Sequence, residues 1–117
     1  MIKKKETLEV VVHENMRGGN GRIEQRLFLT EQEAGGAGRL FCEMTIAPGN
    51  SIGRHEHKGE NETFYIIEGK AKLTDADGSE HILGPGDAQH CADGEGHSVE
   101  NVGDGPLRLI ALILYTK

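Results

Sequence analysis

The stretch that decides the fold is Gly49-Asn50-Ser51-Ile52-Gly53-Arg54-His55-Glu56-His57-Lys58-Gly59-Glu60-Asn61-Glu62-Thr63-Phe64-Tyr65-Ile66. In an extended strand, side chains two residues apart share a face, so His55 and His57 aim at one point while Glu56 points away. Lys58-Gly59-Glu60-Asn61 reads as a reversal. Glu62 then opens a second run with Phe64 and Ile66 on its face, and a hairpin-like return brings Glu62 back beside the two histidines. Further along, His97 opens a strand whose face also carries Val99 and Asn101. Three imidazoles and one carboxylate suit a divalent first-row transition metal. Taken singly, each residue has a plainer explanation: two solvated histidines, a strand-end charge, a hydrogen-bonded core histidine. Taken together, that explanation needs four coincidences of type and spacing.

The flanking sequence repeats the strand pattern. Expected strands are Leu8–His13, Arg22–Leu29, Arg39–Ala47, Thr63–Glu68, Lys70–Asp75, Glu80–Leu83, Asp87–Ala92, His97–Val102 and Leu107–Tyr115. Turn signals separate many of them: Pro48-Gly49-Asn50, Gly84-Pro85-Gly86-Asp87 and Gly103-Asp104-Gly105-Pro106, with Asp77-Gly78 as a hairpin turn. Thr30 and Glu33 have capping-box spacing, but Gly35-Gly36 follows at once, so at most one helical turn fits. Arg17-Gly18-Gly19-Asn20-Gly21 reads as a flexible loop and lacks the Gly-Lys-Ser/Thr ending of a phosphate-cradling loop. Many short strands with almost no helix predict an all-β fold, a small antiparallel barrel or sandwich.

Composition bounds the function. The chain has 117 residues, one domain's worth, expected as a single unit over 1–117 with N-terminal strands and loop in 1–38 and the barrel in 39–117. The balance of 13 basic to 19 acidic residues gives a net charge of −6, a poor match for nucleic acid or an acidic membrane surface. Three Phe, two Tyr and no Trp leave little for a base-stacking platform. The longest apolar run, Leu109 to Leu114, is far short of the ~20 residues that span a bilayer. No secretory leader is evident, so a cytoplasmic location is expected. Cys42 and Cys91 are expected as buried small hydrophobes rather than a disulfide.

The two histidine-bearing stretches resemble the two motifs of the cupin superfamily. The first fits Gly49, His55-Glu56-His57, Glu62 and Gly69 at every position. The second fits Gly86, Gly94, His97 and Asn101, with Ala92 where the motif has proline, a change expected to loosen the turn before His97. The Met16-Arg17-Gly18-Gly19 and Pro48–Gly53 segments also resemble small single-domain bacterial cupins of the oxalate-decarboxylase-like group. The resemblance implies a jelly-roll barrel, the double-stranded β-helix, with one divalent metal per chain on His55, His57, Glu62 and His97. Mn or Fe is the expected ion, with Ni or Zn possible. It implies a small anionic ligand or substrate and a homodimer built on Leu8–His13 and Leu107–Leu114.

Three functions follow from such a site. One is a metalloenzyme acting on a small organic acid or oxygenated metabolite, by decarboxylase-, dioxygenase- or isomerase-like chemistry. Another is a non-catalytic module that binds or senses a small anion or sugar. The third is a metal that only stabilises the fold, as tetrahedral Zn does. Decarboxylation needs a carboxylic acid able to return a proton, and Glu60, Asp93 and Glu95 are the candidates. Glu60 is also the runner-up to Glu62 as ligand. His90 shares a face with Ala88, and if that face is inward it can serve as a proton shuttle. His13 and His81 read as surface or edge residues. Arg22, Arg26 and Arg39 are candidates to meet an anion in the pocket.

Overall fold

The computed structural model describes residues 1–116. Ten strands form: β1 (Val10–Glu14), β2 (Arg22–Leu27), β3 (Gly38–Ile46), β4 (Ser51–Glu56), β5 (Glu60–Glu68), β6 (Ala71–Thr74), β7 (Glu80–Leu83), β8 (Ala88–Cys91), β9 (Gly96–Asn101) and β10 (Leu107–Tyr115). They make two antiparallel sheets, one ordered β1-β2-β3-β10-β5-β8 and the other β4-β9-β6-β7. This is the all-β architecture expected. Nine of the strands fall on the expected runs, with ends shifted by up to three residues. The tenth, β4, carries His55 and was not among those runs. The reversal after it is also tighter than expected: Gly59 supplies the left-handed turn at φ +75°, and Glu60 and Asn61 already belong to β5.

The core follows from alternation. On β3, Cys42, Met44 and Ile46 face inward while Phe41, Glu43 and Thr45 are only partly covered. On β10, Leu107, Leu109, Ala111 and Ile113 do the same, and on β5 Phe64 and Ile66. Burying each large aliphatic or aromatic side chain contributes about 1.5–3 kcal/mol. The apolar run of β10 has a local cause, because the strand is paired on both sides, with β3 and β5. It needs no second copy of the chain to explain it. β1 is an edge strand, and Val10 and Val12 are exposed on it.

The punctuation behaves as the sequence predicts at two turns. Thr30 and Glu33 form the reciprocal box, the Glu33 N–H donating to Thr30 Oγ1 at 3.1 Å and the Thr30 N–H to Glu33 Oε1 at 2.9 Å. Asp77-Gly78 turns β6 into β7, with Gly78 at φ +85°. The segment 15–21 differs from expectation. It is clamped to β4 rather than free: the Ser51 N–H donates to the Asn20 carbonyl at 2.8 Å, and Asn20 Nδ2 donates to the Gly49 carbonyl at 3.1 Å. Gly19 and Gly53 permit this, since a Cβ on either would strike the other segment's backbone.

Straight pairing fails at three places. Between Ile52 and His55 the β4–β9 register slips, so three steps along β4 match two along β9. Between Ile113 and Leu114 the β10–β3 register slips, leaving Arg39 without a partner. A third slip between Arg108 and Leu109 leaves Ile67 unpaired on β5. Such bulges turn side chains to the other face of a sheet. The first two flank the candidate site.

Candidate metal centre

The β4 bulge decides where the histidines point. Ile52 is buried, so strict alternation would send Arg54 and Glu56 inward. The extra residue at Gly53-Arg54 reverses this, and His55 faces inward while Arg54 and Glu56 are exposed. His57 lies just past the strand. Its backbone is clasped by the turn before β9: its N–H donates to the Glu95 carbonyl at 3.0 Å, and the Gly94 N–H donates to its carbonyl at 2.6 Å. Glu62 comes from β5 and His97 from β9. His97 lies opposite His55 in the ladder and stacks on Phe64, with ring centroids 4.9 Å apart and planes 10° from parallel.

The four ligand-type atoms of His55, His57, Glu62 and His97 lie within 4.8 Å of one another. Glu62 Oε1 is 2.9 Å from His57 Nε2, 3.0 Å from His97 Nε2 and 3.7 Å from His55 Nε2. His97 Nε2 is 3.2 Å from His57 Nε2 and 3.1 Å from His55 Nε2. The other ring nitrogen of each histidine has an acceptor. His55 Nδ1 donates to the Gly53 carbonyl at 2.8 Å, and His57 Nδ1 to Glu60 Oε2 at 2.6 Å. His97 Nδ1 donates to Gln89 Oε1 at 2.9 Å. The amide of Gln89 is oriented for this, because its Nε2 donates to Asp75 Oδ1 at 3.2 Å.

With the proton of each neutral imidazole on Nδ1, every Nε2 presents a lone pair. Three lone pairs then converge with a carboxylate oxygen, and no N–H or O–H stands among them. Four acceptors facing one another in a buried space repel unless a cation lies between them. The donor set therefore fits a divalent transition metal. With no cation present, a proton on one Nε2 takes its place, and the ionisation tendencies are those of that protonated form. Burial pushes the Glu62 carboxyl up, but the three adjacent imidazoles outweigh it and hold the group ionised, well below the usual carboxylate range. Hydrogen bonding to Glu62 pushes the His57 imidazole up, and burial pushes that of His97 down.

A recess of about 100 Å³ opens beside the cluster. It is a small recess, on the scale of a ligand of a few heavy atoms. Its wall is Met16, Leu40, Met44, Ile52 and Ile113, and its polar lining beyond the cluster is His13, Arg17, Gln25 and Arg39. His13 was expected at the surface or an edge; it is on the edge strand β1, and there it also lines the recess, its Nε2 meeting Gln25 Oε1 at 3.1 Å. Of the three arginines expected as candidates, Arg39 lines the recess. Arg22 pairs with Glu24, and Arg26 donates to the Lys5 carbonyl.

The remaining candidates sit elsewhere. Glu60 lies behind His57 in a two-pronged pair with Arg39, Nε to Oε1 at 2.7 Å and Nη2 to Oε2 at 2.8 Å. Arg39 pulls its pKa down to about 2, so it is ionised and no proton donor. Glu95 is exposed and accepts from the Ala92 N–H at 2.9 Å. Proline at position 92 could not make that bond, so alanine there closes the turn before His97 instead of loosening it. Asp93 is exposed and accepts from the Gly59 N–H at 2.8 Å. His90 faces outward, exposed, with Nδ1 2.8 Å from Thr63 Oγ1, which corrects the inward reading. Gln89, on the opposite face with buried Cys91, is one residue the sequence reading missed, and Arg17 and Gln25 in the recess are others. The alternation of Gln89 with Cys91 was the available signal.

A two-sheet antiparallel roll with a cluster of three histidines and a glutamate facing an apolar recess defines a class of small metal-ready β-barrels. Comparison with known proteins gives the class its name. The family described as Cupin domain matches residues 42–113, more than half of the 117-residue chain. The chain is 38% identical over 100 residues to the "Oxalate-binding protein" of Thermotoga maritima, covering 86% of this chain and 82% of that one. It superposes with a TM-score of 0.93 on a crystal structure described as a predicted oxalate decarboxylase of Thermotoga maritima, at 34% identity, over 99% of this chain and 100% of that one. The polyketide cyclase RemF of Streptomyces resistomycificus shares the fold at a TM-score of 0.72 and 20% identity, over 100% of this chain and 87% of that one. This chain belongs to the cupin family.

Proposed function

We propose that His55, His57, Glu62 and His97 hold one divalent transition metal, Mn or Fe in the working protein, and that the recess beside it takes a small organic acid. The observation that carries this reading is the convergence of four acceptor atoms beside a recess of about 100 Å³ whose lining includes His55, His57 and Glu62. The likeness to an oxalate-binding protein supports a small dicarboxylate as ligand. A bound metal supplies Lewis acidity and open positions for a carboxylate.

The chain's own residues do the rest. Gly53, Glu60 and Gln89 hold the protons on the three Nδ1 atoms and so keep the Nε2 lone pairs directed inward. The apolar wall limits water around a small ligand. Arg17 and the Arg39 guanidinium, the latter shared with Glu60, are the cationic groups that line the recess and can meet an anion.

A metal-dependent decarboxylase or dioxygenase is the catalytic form of this reading. One observation favours the second form, a binding or sensing module. Among the described residues lining the recess, Glu62 is the sole carboxylate, and it is ionised within the cluster. No carboxylic acid is poised there to return a proton to carbon. Titration of the Mn(II)-loaded protein with oxalate, followed by assay of the mixture for formate, CO2 and O2 uptake, tests the reading. Saturable, metal-dependent oxalate binding is expected. Formate or O2 consumption would select an enzyme, and binding without turnover a module. No binding of oxalate or other small dicarboxylates by metal-loaded protein would reject the ligand class.

A further inference from the structure

The three histidines of the cluster are held from behind by unlike groups. His55 donates to a backbone carbonyl, His97 to a neutral amide and His57 to a carboxylate. The carboxylate is gripped by two hydrogen bonds from the Arg39 guanidinium, whereas the Gln89 amide is held by one, to Asp75. An ionised acceptor makes the stronger hydrogen bond and raises the basicity of the ring's other nitrogen.

Arg39 is not where a regular strand would put it. Along β3 the inward residues are Ile46, Met44, Cys42 and Leu40, so alternation aims Arg39 outward with Phe41 and Glu43. The register slip between Ile113 and Leu114 pairs Leu40 with Ile113 and Gly38 with Leu114, and Arg39 is the unpaired residue between them. Gly38 fits this bulge because a Cβ there would strike the Ile113 carbonyl. Released from the ladder, Arg39 reaches across β10, the strand lying between β3 and β5, to grip Glu60. Its guanidinium spends Nε and one Nη2 hydrogen on that carboxylate and also lines the recess.

We propose that Arg39 is a positioning residue for the metal centre: the β3 bulge aims it at Glu60, and its two-pronged grip fixes the carboxylate that orients His57. This rests on the metal reading given above. Glu60 and Arg39 are then a built extension of the site rather than a surface ion pair. The order of importance among the supporting groups follows, with the Glu60–Arg39 unit ahead of Gln89.

The sign of one substitution separates this from simple electrostatics. Arg39→Gln removes a positive charge near a cation site, so Coulomb's law alone predicts tighter metal binding. Positioning predicts weaker binding. Co(II) is the probe, read by its visible absorption and by titration against a competing chelator, on protein whose apo form is shown folded by circular dichroism. Wild type should bind one Co(II) per chain. Glu60→Gln and Arg39→Gln should each weaken Co(II) by about 10–100-fold, with a changed absorption band. Arg39→Lys, which keeps the charge and loses the fork, should fall between.

The double variant should be no weaker than Glu60→Gln alone, because Arg39 acts through Glu60. Unchanged or tighter binding by Arg39→Gln, or fully additive losses in the double variant, would overturn the inference while leaving the metal centre in place. A wild type that binds no Co(II) would instead overturn the metal reading itself. Should Arg39→Gln fail to fold, Arg39→Lys and Glu60→Gln carry the same comparison.

Discussion

His97 and Asn101 stand on one strand, four residues apart, on the same face, and both are fully buried. Their surroundings differ in kind. Asn101 Nδ2 donates to the carbonyls of Ile46 at 2.7 Å and Gly105 at 2.9 Å, and its Oδ1 accepts from the Gly103 N–H at 2.9 Å. Every donor there meets an acceptor. Around His97, four residues away, acceptors meet acceptors. Burial of a polar group is thus no sign of function by itself. The sign is a polarity that the protein's own hydrogen bonds leave unbalanced. One end of the roll is closed by its own chemistry, and the other presents a donor set that fits a cation.

The largest expected effect breaks the His97 end. His97→Ala should abolish stoichiometric metal binding and with it the stabilisation a bound ion confers. That stabilisation is about 4 kcal/mol where free metal is 1,000 times the dissociation constant. Thermal melts with and without metal check this, since the wild type should shift and the variant should not. The Asn101 end should respond in the opposite way. Asn101→Ala strands two carbonyls and one N–H, a loss of about 2–4 kcal/mol. Its melt should drop while metal stoichiometry, measured at a temperature where it stays folded, remains that of the wild type.

A smaller effect sharpens the comparison at the bulge. Gly38→Ala forces the β3 backbone away from the Ile113 carbonyl, which should cost about 1–3 kcal/mol. It should also weaken metal more than an equally destabilising change at the Asn101 end. The smallest effect concerns the two buried thiols. Burial pushes Cys42 up to about 12 and Cys91 up to about 11. Raising a thiol's pKa lowers its thiolate fraction, so the native protein should react with a thiol reagent far more slowly at pH 8 than the unfolded chain does. Cys91 lies on β8, an outer strand beside Glu62, and should label before Cys42, whose strand is paired on both sides. Labelling kinetics with peptide mapping read this order.

Alternation made much of this molecule legible. Cys42, Met44 and Ile46 on one strand, and Val99 and Asn101 behind His97, fall where period two places them. The four residues of the cluster were legible too, because their types and spacing stand out against an apolar pattern. What was hidden is the bulges. A bulge adds one residue whose identity need not be unusual, and its position depends on the partner strand. Thus the strand read at His55-Glu56-His57 was not extended back to Ser51, since Ile52 and His55 share a face only across a slipped register. Arg39 read as one of three interchangeable candidates for the same reason. His13 looked peripheral because its strand is an edge, and only the pairing of β1 with β2 carries it to the recess. The turn at Ala92 was misjudged because the bond that closes it comes from a side chain, Glu95, three residues on.

The central claim is that the His55–His57–Glu62–His97 cluster exists to hold a cation while the Asn101 cluster holds only the chain. Elemental analysis of freshly purified protein tests it most directly, on wild type, a His55→Ala/His97→Ala double variant and Asn101→Ala side by side. The account predicts about one transition metal per chain in wild type and Asn101→Ala, and none in the double variant. Wild type that stays metal-free after reconstitution with Mn, Fe, Ni and Zn, or a double variant that keeps its metal, would contradict it.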